Sequence, residues 1–104
     1  MVFIYQMKKS PKSLPSAVAA RTKTVERVQT GIRLEKRLLK VLKAVADLHD
    51  ISLGDLLEGI VLHAFEGKVP FDEPSLAKIA ELRGIFGLGL TAADSHRLVE
   101  DDLS

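Results

Sequence analysis

No cysteine occurs among the 104 residues. That excludes disulfide frameworks and thiolate metal sites together, and it fits a reducing, intracellular setting. Histidine is scarce, and neither His49 nor His63 has a ligand partner at i+4, the spacing that would let two side chains share a metal on one helical face. No apolar run approaches the roughly 18 to 20 residues that span a bilayer. The opening MVFIYQMKK places its apolar residues ahead of its lysines, the reverse of a secretory signal. There is no internal repeat. Catalytic chemistry is missing too: Asp94, Ser95 and His96 are consecutive, and neighbours on a helix point about 100° apart, so they form no triad among themselves. The glycine-rich GIFGLGL lacks the GxGxxG spacing and a preceding strand, so it is not a nucleotide loop. These absences describe a soluble cytoplasmic chain with no membrane partner, no enzymatic activity and no cofactor.

Apolar residues make up 46% of the chain and charged residues 28%, which predicts a folded middle and one domain with arms. The net charge of +1 conceals an asymmetry. Residues 1–43 hold eleven Lys or Arg against Glu26 and Glu35, a balance of +9, whereas residues 44–104 hold four basic residues against twelve acidic ones, a balance of −8. One end of such a molecule is suited to a polyanion and the other is not. The plainer alternative is a solvated basic arm that only maintains solubility.

Residues 8–24, KKSPKSLPSAVAARTKT, carry two prolines and three serines without a sustained period and read as a flexible basic linker. ERVQTGIRL follows, in which Val28, Thr30, Ile32 and Leu34 alternate with Arg27, Gln29, Gly31 and Arg33. That period of two predicts a strand with one buried and one solvated face. The next stretch is helical: Lys36, Lys40, Lys43 and Asp47 form a wet stripe, and Leu38, Leu42 and Val45 lie on the apolar arc. A second helix opens with Ser52 as N-cap and Asp55 three positions later, carries Leu53, Leu56, Leu57, Ile60, Val61, Ala64 and Phe65 in one stripe, and ends at Gly67. Elements of about 40 residues in all need oligomerisation, metal or disulfides to stay folded. With the last two absent, oligomerisation remains. The strand would then pair antiparallel with its own copy across a two-fold axis, the alternative being intramolecular pairing with MVFIYQ.

From Arg27 to Phe65 the order of periods, VQTGIRL, EKRLLKVLKAVAD, LHDI and SLGDLLEGIV, resembles the ribbon-helix-helix family of DNA-binding proteins, the Arc, MetJ and CopG type. The resemblance covers about 40 residues. It implies a mostly α fold with one short strand: an intertwined homodimer with an intermolecular two-stranded antiparallel sheet, followed by C-terminal helices. It further implies paired strands in the major groove, with Gln29, Gly31 and Arg33 at the base-contacting positions. Arg can pair with guanine O6 and N7, and Gln with adenine N6 and N7; Gly31 departs from the family by offering no side chain. Phosphate contacts would come from Arg27, Lys36, Arg37 and the helix start at Ser52, Leu53 and Gly54. The dimer core would combine Val28, Ile32 and Leu34 of the strand with Leu38, Leu42 and Val45 of the first helix and Leu56, Leu57, Ile60 and Val61 of the second.

The expected organisation is a basic arm over 1–24, the ribbon-helix-helix domain over 25–67 and an acidic helical extension over 68–104. In the extension, DEPSLAKIAELRGIF and TAADSHRLVEDDL read as two short helices, the latter opening on a Thr91–Asp94 capping pattern. Its apolar face would pack on the dimer core, join dimers, or bind another protein. The expected function is sequence-specific binding of double-stranded DNA by a homodimer, acting as a transcriptional repressor at the nucleoid. The competing reading is an antitoxin-like protein-interaction module, dimerised by residues 25–67 and binding a protein partner through residues 68–104.

Overall fold

The computed structural model describes residues 22–100. Three α-helices succeed one another, α1 (Lys36–Leu48), α2 (Leu53–Phe65) and α3 (Glu73–Phe86), followed by a single 3-10 turn at Ala92–Asp94. α1 packs against both of the other helices.

Each helix starts on a side-chain cap. The Glu35 carboxylate accepts the Leu38 N–H at 2.7 Å, the Ser52 hydroxyl accepts the Asp55 N–H at 3.1 Å, and the Asp72 carboxylate accepts the Ser75 N–H at 3.0 Å. These bonds satisfy amides that have no partner inside the helix. They also hold both carboxyls below their ordinary values: Glu35 mainly through the Leu38 bond, with Arg37 and Lys36 adding to it, and Asp72 mainly through its bonds to Ser75.

The ends are equally specified. Residues in the left-handed region follow the helices: Asp50 (φ 59°) after α1, Gly67 (φ 70°) after α2 and Gly87 (φ 69°) after α3. The next amide returns to the last turn each time, from Ile51 to Ala46 O, Lys68 to His63 O and Leu88 to Arg83 O, the Schellman arrangement. After α1 and α3 it also delivers an apolar side chain, Ile51 or Leu88, to the core.

That core is small. Val41, Val45 and Ala46 of α1, Leu56 of α2 and Leu88 beyond α3 are buried, and Leu38, Leu42, Ile60, Ile79, Leu82 and Phe86 pack around them, half-exposed. The acidic extension therefore joins the core of its own chain, through α3 and through Leu88, a residue of the GIFGLGL stretch.

The structure corrects the expected fold class. Among the described residues there is no strand and no sheet, and their only regular elements are helices, where a ribbon-helix-helix fold requires a β-ribbon. Segment 22–34 has no regular structure, and all its side chains are exposed, with Val28 at 80% and Ile32 at 66%. The alternation made a two-faced segment, but a strand exists only through its ladder, and no other part of the described chain forms a ladder with this one. MVFIYQ lies outside the described residues, as does most of the expected basic arm. The second C-terminal helix is also absent over the described part of its range. TAADSHRLVE contributes one 3-10 turn, closed by the Thr91 N–H donating to Asp94 at 2.8 Å, after which His96 takes a left-handed conformation (φ 67°) that interrupts helical continuation.

Candidate nucleic-acid interface

Segment 26–34, the outer face of α1 and the first turns of α2 enclose an open groove of about 1140 Å³. Its walls bring together residues far apart in sequence: Arg27, Gln29 and Gly31 from the segment, Lys43 from α1, and Ser52, Leu53 and Gly54 from the start of α2. The groove also has an apolar component, to which Val28, Ile32, Leu34, Leu39, Leu53 and Leu57 contribute.

The start of α2 opens on the groove and carries a carboxylate of its own. The Ser52 cap uses the Asp55 amide, Leu53 and Gly54 occupy the first turn at the positive end of the helix dipole, and Asp55 of the same turn lines the groove. Gly54 is exposed, and a β-carbon built on it would meet nothing within 4 Å; the same holds for Gly31. Lys36, Lys40, Lys43 and Asp47 lie exposed along α1, as their spacing predicts, and Arg37 is exposed beside them.

Not every expected site residue meets this groove. Lys36 and Arg37 lie outside its walls, and Arg33 is turned toward the C-terminal segment, where it pairs with Glu100. Arg27 lines the groove but is paired with Glu58 of α2, and this arginine holds the Glu58 carboxyl below its ordinary value, chiefly through the side-chain hydrogen bond. Both carboxylates were missing from the sequence-derived site. Their separations of 31 and 67 residues obey no local periodicity, and the only advance signal was the opposite charge of the two halves.

The residues expected in a dimer core divide into three groups. Val45 and Leu56 are buried inside the single chain, and Leu38, Leu42 and Ile60 pack around them. Leu57 is half-buried on the groove. Val28, Ile32, Leu34 and Val61 are exposed.

A second concavity of about 440 Å³ lies between α2 and the start of α3, with His49, His63, Asp55 and Asp72 at its edge and Ile51, Leu56 and Phe71 among its apolar lining. His63 spends Nδ1 on the Gly59 carbonyl, 2.7 Å away. Among the described residues no group of three or more His, Asp or Glu could hold a metal, and no helix is long and apolar enough to cross a membrane. No family model, curated protein or solved structure matches the chain.

Proposed function

We propose that the protein binds double-stranded DNA in a sequence-specific manner as a homodimer and represses transcription at the nucleoid. The observation that supports this reading is the convergence of Arg27, Gln29 and Gly31, of Lys43 and of the N-terminal turn of α2 on one groove, beside the carboxylates of Glu26, Asp55 and Glu58. Base contacts are assigned to Gln29 and Arg33, with Gly31 allowing close approach between them. Phosphate contacts are assigned to Arg27, Lys36, Arg37 and the first turn of α2 at Ser52, Leu53 and Gly54. Self-association is supported by the small core set against the apolar side chains left in water, among them Phe65 at 81% exposure, since large exposed apolar patches mark interaction sites. The second copy is put against Leu57, at the apolar edge of the groove, which leaves Ser52, Leu53 and Gly54 to phosphate.

The test is selection of duplexes from a random pool by the purified protein at moderate salt. Enrichment of a repeated half-site is expected, because a symmetric dimer reads symmetric DNA. Arg33→Ala should relax the base preference and weaken specific binding by about 1–3 kcal/mol without dissociating the dimer. Recovery of no sequence above background would overturn the reading.

One observation favours a protein-interaction role for the C-terminal part: Ile85 of α3 remains 72% exposed on the helix that otherwise packs on α1. That reading gains ground if the pool returns nothing and a partner protein is held by α3.

A further inference from the structure

Two of the three arginines assigned to DNA, Arg27 and Arg33, are each already held by a carboxylate from a distant part of the chain. Arg27 donates from Nε to Glu58 Oε2 at 2.8 Å and from Nη2 to Glu58 Oε1 at 2.7 Å. Arg33 donates from Nε to Glu100 Oε1 at 3.3 Å and from Nη2 to Glu100 Oε2. Both contacts are two-pronged, the geometry by which a guanidinium grips paired phosphate oxygens or guanine O6 and N7. The N–H groups that would meet nucleic acid are thus spent on carboxylates in the chain by itself.

The chain path serves these contacts. Glu58 stands on α2 and lines the same groove as Arg27. Glu100 reaches Arg33 because the chain turns after α3: the Arg83 guanidinium donates to Leu90 O at 2.8 Å, the 3-10 turn follows, and the Arg97 amide closes on Asp94 O at 3.0 Å.

The geometry points to Glu58 and Glu100 as built-in competitors of DNA, carboxylates that occupy the arginine forks until a ligand presents two acceptors at once. This inference rests on the DNA-binding reading and adds its regulation. Arg27, assigned to phosphate, meets paired oxygens on any duplex, whereas Arg33, assigned to a base, regains both bonds where a guanine edge lies opposite it. Glu58 therefore weakens binding to every duplex alike, and Glu100 weakens binding to unrelated DNA more than binding to the preferred site. Both pairs lie at the surface, with the side chains of Arg33 and Glu100 81% and 60% exposed, so each is easily displaced and its removal is worth about two- to five-fold in affinity.

The experiment uses the full chain, the duplex enriched from the pool and an unrelated duplex, compared by fluorescence anisotropy at one salt concentration. Glu58→Gln and Glu100→Gln should each tighten binding about two- to five-fold, the Glu58 gain being equal on the two duplexes and the Glu100 gain larger on the unrelated one. In an Arg33→Ala background Glu100→Gln should bring no gain. A gain that survives there would reveal a general charge effect and overturn the competitor role, as would the absence of any gain. A readout without DNA is the Arg33 Nε–H resonance of the free protein, which should move on Glu100→Gln; an unmoved resonance also overturns the inference. Failure of the wild type to bind any duplex would remove the DNA-binding reading itself and the competitor role with it, while the resonance would still report whether the pair forms.

Discussion

Gly87 stands in the left-handed region (φ 69°), where a β-carbon clashes with the following carbonyl at a cost of about 1–2 kcal/mol. Its neighbour Leu88 is buried, so strain here is transmitted to the core. Gly87→Ala should lower stability by about 1–2 kcal/mol in chemical denaturation; an unchanged midpoint would contradict the termination described for α3. The charged residues behave differently, because their roles depend on partners brought from afar. Glu58 has its carboxyl lowered by Arg27, so the pair contributes at pH values above the ordinary carboxylate range and is lost as pH falls through the depressed folded value. Arg27→Gln should raise the Glu58 carboxyl back toward its ordinary 4.5 in an NMR titration, and an unmoved titration would show that another group lowers it. Residue identity revealed that Arg27 and Arg33 could grip two acceptors, but it did not reveal which acceptors they grip in the free chain.

Helices α1 and α2 were legible as elements because their signals are local. The wet stripe of α1, the Ser52 cap and Gly67 all act within a turn or two of where they stand. Ser52→Ala removes the bond to the Asp55 amide and should cost about 1 kcal/mol, read as a drop in thermal midpoint with α2 losing amide protection first. α3 was foreseen as a helix over DEPSLAKIAELRGIF, but its Asp72 cap was not, and Ile85, expected on its apolar side, is exposed. The helix expected after Thr91 was not formed, since a capping pattern can close a single 3-10 turn as readily as it starts a helix. Leu88 was overlooked as core because GIFGLGL reads as a link; its burial follows from the turn at Gly87, not from any period. Segment 22–34 failed as a strand for the reason that separates strands from helices: a helix bonds to itself, whereas a strand needs a neighbour.

At the scale of the molecule, few buried side chains hold three helices together, and several large apolar residues remain in water. A chain with so little core gains from a second copy. Leu57 offers the sharpest test, since it is half-buried on the groove and does not belong to the buried cluster of the single chain. Leu57→Asp should shift sedimentation from dimer to monomer while leaving the helical circular dichroism largely intact; a variant that remains dimeric would move the interface elsewhere. The opposite charges of the two halves were visible from composition, and so was their suitability for a polyanion and its absence. By itself the sequence determined the extents of α1 and α2, the Ser52 cap and the segregation of charge, because helix hydrogen bonds, caps and net charge are settled by nearby residues. Tertiary structure alone decided that the irregular segment, Lys43 and the start of α2 share one groove, that Leu88 enters the core, and that Glu58 and Glu100 occupy the arginines, because each of these depends on where the chain returns after a turn.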